Sequence, residues 1–145
     1  MRAWHVILAL QSYCTFLLVG LTWSIQLVHY PFFSWVDRDR FCEYIKKYHK
    51  RLSYWMVPFF VLECFFAILL LTVAKEGACR IIAFILFGLL LLIWLVTFCL
   101  QVPEHTLLAK EFSHKNLRKM TWTNWIRTIA WTLRSLLLLG LLLWT

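Results

Sequence analysis

Four long apolar stretches, at about 6–28, 52–74, 81–102 and 120–144, leave this chain little freedom in what it can become. Each has the roughly 20 residues needed to cross a hydrocarbon core. Of the 145 residues, 62% are hydrophobic, and the mean hydropathy is +0.72. A water-soluble domain this apolar would lack the polar surface to cover itself, and nothing remains for a second domain. The expected fold is all-α: residues 1–145 form a single integral membrane domain, an antiparallel four-helix bundle with a polar interior. Its helices are predicted at about 6–29, 35–74 (including a cytoplasmic extension), 80–102 and 120–144. The first stretch is longer than a signal-peptide core and has no small-residue cleavage site after it, so it reads as a retained helix.

The net charge of +8 is explained once the charges are placed. Arg38, Arg40, Lys46, Lys47, Lys50 and Arg51 fall between the first two stretches. Lys110, Lys115, Arg118 and Lys119 fall between the last two, whereas the opposite face holds Arg2, Lys75 and Arg80. Ten against three fits the positive-inside rule, with long loops cytoplasmic and both termini outside. The partner implied is the lipid bilayer, with no nucleic acid. The five cysteines include no C-x-x-C pair, which argues against a thiol-redox or zinc-ribbon protein.

Turn and cap signals set the connections. "KEGACR" is a tight outer loop. "SWVD" carries a capping-box pattern with Ser34 as N-cap and Asp37 three residues on. Beyond it, Phe41, Ile45, Tyr48, His49 and Leu52 recur at helical spacing, so the second helix begins before the membrane. Pro58 is expected to kink it, and Pro31 and Pro103 to mark the cytoplasmic exits of the first and third helices. A faint parallel repeat relates Gln26, His29, Pro31 and "HKRL" to Gln101, Pro103, His105 and "HKNL".

At about 100° per residue, each helix shows a polar or mixed stripe. On the fourth it is Asn124, Arg127, Thr128, Trp131, Arg134 and Ser135, with Ile126, Ile129, Leu133, Leu136 and Leu137 opposite. On the first it is Gln11, Thr15, Leu18, Thr22, Gln26 and His29. The second contributes Met56, Phe59, Phe60, Glu63 and Ala67, with His49 on the same face, and the third contributes Trp94, Thr97 and Gln101. Inward stripes of this kind build a polar bundle core.

Depth separates the two arginines of the last helix. At about 1.5 Å per residue, Glu63 lies roughly 18 Å beyond Arg51 and Arg134 roughly 21 Å beyond Met120. Matched in depth and opposite in sign, they are expected to form a structural ion pair. Arg127 is roughly 10 Å deep and has no acid at its level. It either snorkels or pairs with Glu104, or it meets an anionic or carbonyl oxygen of a ligand beside Asn124, Gln26 and Gln101. His29, His49 and His105 fall at one level near the cytoplasmic ends, with His114 in the adjacent loop. Histidine is both a common metal ligand and a base near neutral pH. Three readings stay open: a metal held by His29, His49, His105 and His114, a metal-free acid/base site, and interfacial histidines without a site.

"QLVHYPFF", "YHKR", "VPEH" and "TNWIRTIAWTLR" together resemble a group of uncharacterised four-helix bacterial membrane proteins, over nearly the whole chain. The helix count, the size and the Asn124/Arg127-bearing last helix are more distantly similar to the anthrone oxygenase-like membrane family. The first resemblance implies a bacterial inner-membrane location, and the second implies oxidation of tricyclic phenolic substrates by molecular oxygen. His29 or His105 would then remove a proton, Arg127 and Asn124 would stabilise the enolate or phenolate, and Trp125 or Trp131 would stack on the rings.

The leading expectation is therefore a small membrane oxidoreductase acting on a hydrophobic aromatic or quinone-like molecule, with Gln26, Gln101, Trp125 and Trp131 contacting it. Two alternatives stand beside it. One is a protein binding a transition metal or haem, the haem held between His29 and His105. The other is a non-catalytic accessory subunit whose polar core holds the bundle together. A homo-oligomer is compatible with all three. Transport is disfavoured, because only one acidic residue lies within the apolar stretches.

Overall fold

The computed structural model describes residues 2–74 and 76–144, with Arg2 described by its backbone alone. Lys75, counted above among the basic residues of the opposite face, lies outside the described residues, as does the Arg2 side chain. The described residues form helices and short connections, with no strand among them. Four helices are long and apolar enough to cross a membrane: α1 (Ala3–Trp35), α2 (Arg38–Val73), α3 (Ala78–Leu108) and α4 (His114–Trp144).

The helices form a bundle with an apolar exterior and with polar side chains buried among the apolar ones of its core. Val61, Phe65, Ile81, Phe84, Leu95, Ile129 and Leu136 are all exposed, while Gln11, Thr15, Thr22, Glu63, Asn124, Thr128 and Arg134 are buried. An apolar exterior on this scale is too large for a water-facing surface. Much of the polarity is neutralised within single helices. The hydroxyls of Ser12, Thr22, Thr97 and Thr132 each donate to the carbonyl four residues earlier, at 2.7–2.8 Å.

Three apolar layers stack along the bundle. Trp4, Leu8, Leu70, Leu86 and Leu138 fill the end that holds the α2–α3 turn. Leu18, Ala67, Leu90, Ile93 and Trp131 fill the middle. Phe33, Phe41, Ile45, Leu108 and Met120 fill the basic end. The α2–α3 turn depends on Gly77, whose φ of 83° is the left-handed conformation that side chains disfavour.

Several helix ends differ from the sequence expectations. α1 does not stop at Pro31, nor α3 at Pro103. Each instead passes through a π turn, Ile25–His29 and Thr97–Gln101, and then continues past its proline, α3 as far as Leu108. In both, the residue before the proline donates to the carbonyl five positions back, Tyr30 to Ile25 and Val102 to Thr97. The extra residue accommodates a proline that cannot donate. These turns bear the same relation to their prolines, whereas Gln26 and Gln101 occupy different places within them. Ser34 is not an N-cap either. α1 runs on through a 3-10 turn, Phe33–Trp35, so Ser34 is already inside it and its hydroxyl donates to the Pro31 carbonyl at 2.7 Å. Asp37 is the N-cap of α2, with no side-chain capping bond. α4 begins at His114, earlier than the apolar stretch alone indicated. α2 carries Pro58 within one continuous helix.

Candidate ligand cavity at the basic end

α2 and α3 are the least closely packed of the neighbouring helices. Between them, towards the basic end, lies a cavity of about 380 Å³. Phe60 and Trp94 form apolar walls, and Val57, Val61, Phe98 and Val102 line it while remaining exposed on the bundle's apolar exterior. These four residues make a rim open to the side of the bundle. Its polar lining comes from all four helices: Tyr30, His49, Ser53, Thr97, Gln101, His105 and Arg127. A mostly apolar pocket with a few convergent polar groups is the usual form of a small-molecule site.

Arg127 is 6% exposed and donates through Nη1 to Asn124 Oδ1 at 3.3 Å. Its Nε–H has no hydrogen-bond partner, and among the described residues no carboxylate pairs with it. Glu104, the acid considered above as its partner, pairs with Lys119 instead. Nor does Arg127 snorkel, since its side chain is buried against the cavity. Behind it, Asn124 Nδ2 donates to Gln26 Oε1 at 2.8 Å, and Gln26 Nε2 to the Thr121 carbonyl at 3.3 Å. This relay fixes the guanidinium from the side away from the cavity. Asn124 and Gln26 do not themselves line the cavity; they position Arg127.

Gln101 lines the cavity with its hydrogen bonds already made. It accepts from the Tyr30 hydroxyl at 3.0 Å and donates to the Met120 carbonyl and Thr123 Oγ1 at 3.1 and 2.8 Å. It therefore fixes Tyr30 rather than offering a free amide to a ligand.

The four histidines do not converge. His49 and His105 lie with ring centroids 4.7 Å apart, and His105 Nδ1 is buried without a partner. His29 turns away, its Nδ1 2.9 Å from the Tyr48 hydroxyl, and it does not line the cavity. His114 is exposed, with Nε2 3.2 Å from Arg38 Nη2, a cation that disfavours a metal there. No three of His, Cys, Asp and Glu among the described residues gather as a metal-ligand set. The quartet His29, His49, His105 and His114 is therefore corrected to a pair, short of the three or four protein ligands typical of zinc sites. The His29–His105 haem arrangement finds no support either, because His29 is engaged with Tyr48 away from the cavity.

The tryptophans also differ from expectation. Trp125 packs edge-on to Trp23 at 5.7 Å, and Trp131 is fully buried behind Phe60 at 5.7 Å. Neither lines the cavity, whereas Phe60 and Trp94 do. Tyr30 and Ser53 were not anticipated. The signal for Tyr30 was its place immediately before Pro31, which becomes informative only once the π turn is known.

Two turns further along α4, Arg134 Nε donates to Glu63 Oε1 at 3.0 Å, with both side chains fully buried. Thr15 also donates to Glu63, and Arg134 to the Leu86 carbonyl. The two arginines thus differ in surroundings: Arg134 is ion-paired and Arg127 is not. Comparison with known protein families, curated proteins and solved structures finds no match for this chain.

Proposed function

We propose that the chain is an integral membrane protein, an antiparallel four-helix bundle with its basic end cytoplasmic, acting as an oxygenase-like oxidoreductase on a hydrophobic phenolic or quinone-like molecule. The observation that carries this reading is Arg127, a buried cation with a free Nε–H and no counter-ion among the described residues, at the back of an apolar cavity that opens sideways. An unpaired buried guanidinium is costly, and an anionic or carbonyl oxygen on a ligand would answer it.

The substrate would enter from lipid across the rim of Val57, Val61, Phe98 and Val102. Its rings would lie against Phe60 and Trp94, and its oxygen would meet Arg127. His105, with its proton on Nε2, would use Nδ1 to take a proton from the ring CH₂ that lies across the central ring from the activated carbonyl and is conjugated to it. Arg127 would stabilise the resulting enolate. Dioxygen, as the distant anthrone oxygenase resemblance implies, would be the co-reactant. A ring CH₂ becomes C=O, and the second oxygen atom leaves as water. No step here is routed through a metal.

The second reading is a binding protein without chemistry, using the same cavity. One experiment tests both: titrate purified protein in lipid nanodiscs with a hydroxylated anthrone, following its absorption and the uptake of oxygen. Binding with oxygen uptake supports the oxidoreductase, and binding alone supports the second reading. Equal affinity for wild type and Arg127→Gln would overturn the assignment of the site.

A further inference from the structure

We infer that a groove between α1 and α2 at the basic end holds one anionic phospholipid, its phosphate between Lys47 and Arg51 and an acyl chain along Leu17 and Leu21. This concavity is larger than the ligand cavity, at about 820 Å³, and α2 lines it with a single helical stripe from Tyr44 to Trp55. Lys47 and Arg51 sit four residues apart on that stripe, so both cations face the same space. Facing them across the groove, α1 contributes only Leu17 and Leu21. The groove is thus cationic at one end and apolar at the other, which is the amphiphile's own pattern.

The charge balance favours one negative headgroup. Lys47 Nζ is bonded to Glu43 at 2.6 Å, but both side chains are exposed, and such pairs are weak enough for a phosphate to compete. Arg51 makes no ion pair among the described residues and is free to form a forked contact. Glu43, Lys47 and Arg51 together carry one net positive charge. That matches a phosphodiester and would repel the added cation of a choline headgroup. The Tyr48 hydroxyl is taken by His29, and its ring stacks on Tyr44 at 6.2 Å, which makes a flat wall. Trp55 is 66% exposed and stacked on Phe59, placed as interfacial tryptophans are.

This inference rests on the membrane-crossing reading above but not on the oxidoreductase chemistry. The test is native mass spectrometry of detergent-purified full chain titrated with phosphatidylglycerol or phosphatidylcholine. Wild type is expected to retain one phosphatidylglycerol with roughly tenfold preference over phosphatidylcholine. Lys47→Gln/Arg51→Gln should erase that preference, while Lys115→Gln/Arg118→Gln, equal in charge but outside the groove, should keep it. Leu21→Trp, which fills the apolar end and leaves both cations, should also lose the lipid. Equal loss in the two charge variants would reduce the effect to a diffuse field and overturn the site. Competition by glycerol 3-phosphate at concentrations matching the lipid would make it a free-phosphate site and overturn the lipid assignment. A chain washed out of vesicles by alkali would overturn the membrane-crossing reading and this inference with it. Lost preference in an embedded chain overturns this inference alone.

Discussion

Asn124 grips Arg127 from one turn away on the same helix, Oδ1 accepting from Nη1 at 3.3 Å while its own amide is tied to Gln26. The guanidinium is therefore held in place before any ligand arrives. Removing the charge should remove the ligand: Arg127→Gln is expected to weaken binding of an anionic or carbonyl-bearing aromatic by roughly ten- to a hundredfold, the worth of a charged hydrogen bond. Isothermal titration in nanodiscs measures this, and an unchanged melting temperature would show that the fold survives.

Asn124→Leu separates positioning from contact. It leaves Gln26 Oε1 and Arg127 Nη1 unpaired, at a cost of about 1–3 kcal/mol in stability. Affinity should fall less than in Arg127→Gln, because the cation stays in the cavity wall. A larger affinity loss in Asn124→Leu than in Arg127→Gln would mean that Asn124 itself touches the ligand.

Glu63 and Arg134 call for a paired experiment. Breaking a buried ion pair from one side leaves an uncompensated charge, so Glu63→Gln and Arg134→Gln should each destabilise by about 3–5 kcal/mol. The double replacement Glu63→Leu/Arg134→Met should recover much of that loss. Denaturant unfolding in mixed micelles gives the cycle. Additive single effects would show that the two residues are not coupled.

His105 and His49 should differ in turnover. His105 presents a buried, unpartnered Nδ1, so His105→Ala is expected to lower kcat by about 10²-fold or more while ligand affinity stays within a few-fold. His49→Ala, which removes the neighbouring ring, should act more mildly. Oxygen-uptake rates on the anthrone probe compare them, and equal losses would move the base role from one ring to the pair.

Much of the arrangement is readable from periodicity and residue chemistry. On α4, Asn124, Arg127, Thr128, Trp131, Arg134 and Ser135 recur at helical spacing and all are buried, while Ile126, Ile129, Leu133 and Leu136 are exposed and Leu137, expected with them, is half-buried against the core. Setting Glu63 against Arg134 needs only the rise per residue and opposite charge, and the two side chains meet. What escapes such reasoning lies within and beyond the π turns. An inserted residue rotates whatever follows, so His29, expected to face the site, bonds Tyr48, while Tyr30 lines the cavity. The tryptophans escape for another reason. Periodicity places Trp131 in the core but says nothing about Phe60 lying between it and the cavity.

The two proline-linked π turns also bear on how the chain tolerates loss of a single residue. Each is locally an α-helix with one residue too many, so excising Val28 or Cys99 would return that turn to regular α geometry with little strain. Five residues of a π turn make about the rotation that four make in an α-helix, so the helix beyond it would keep its facing. Tyr30 after the first turn, or His105 after the second, would stay on the cavity wall while the rest of the bundle kept its packing. Deletion scanning should therefore find two short windows in which the chain still assembles with its cavity lining intact, separated by stretches where a deletion prevents assembly altogether.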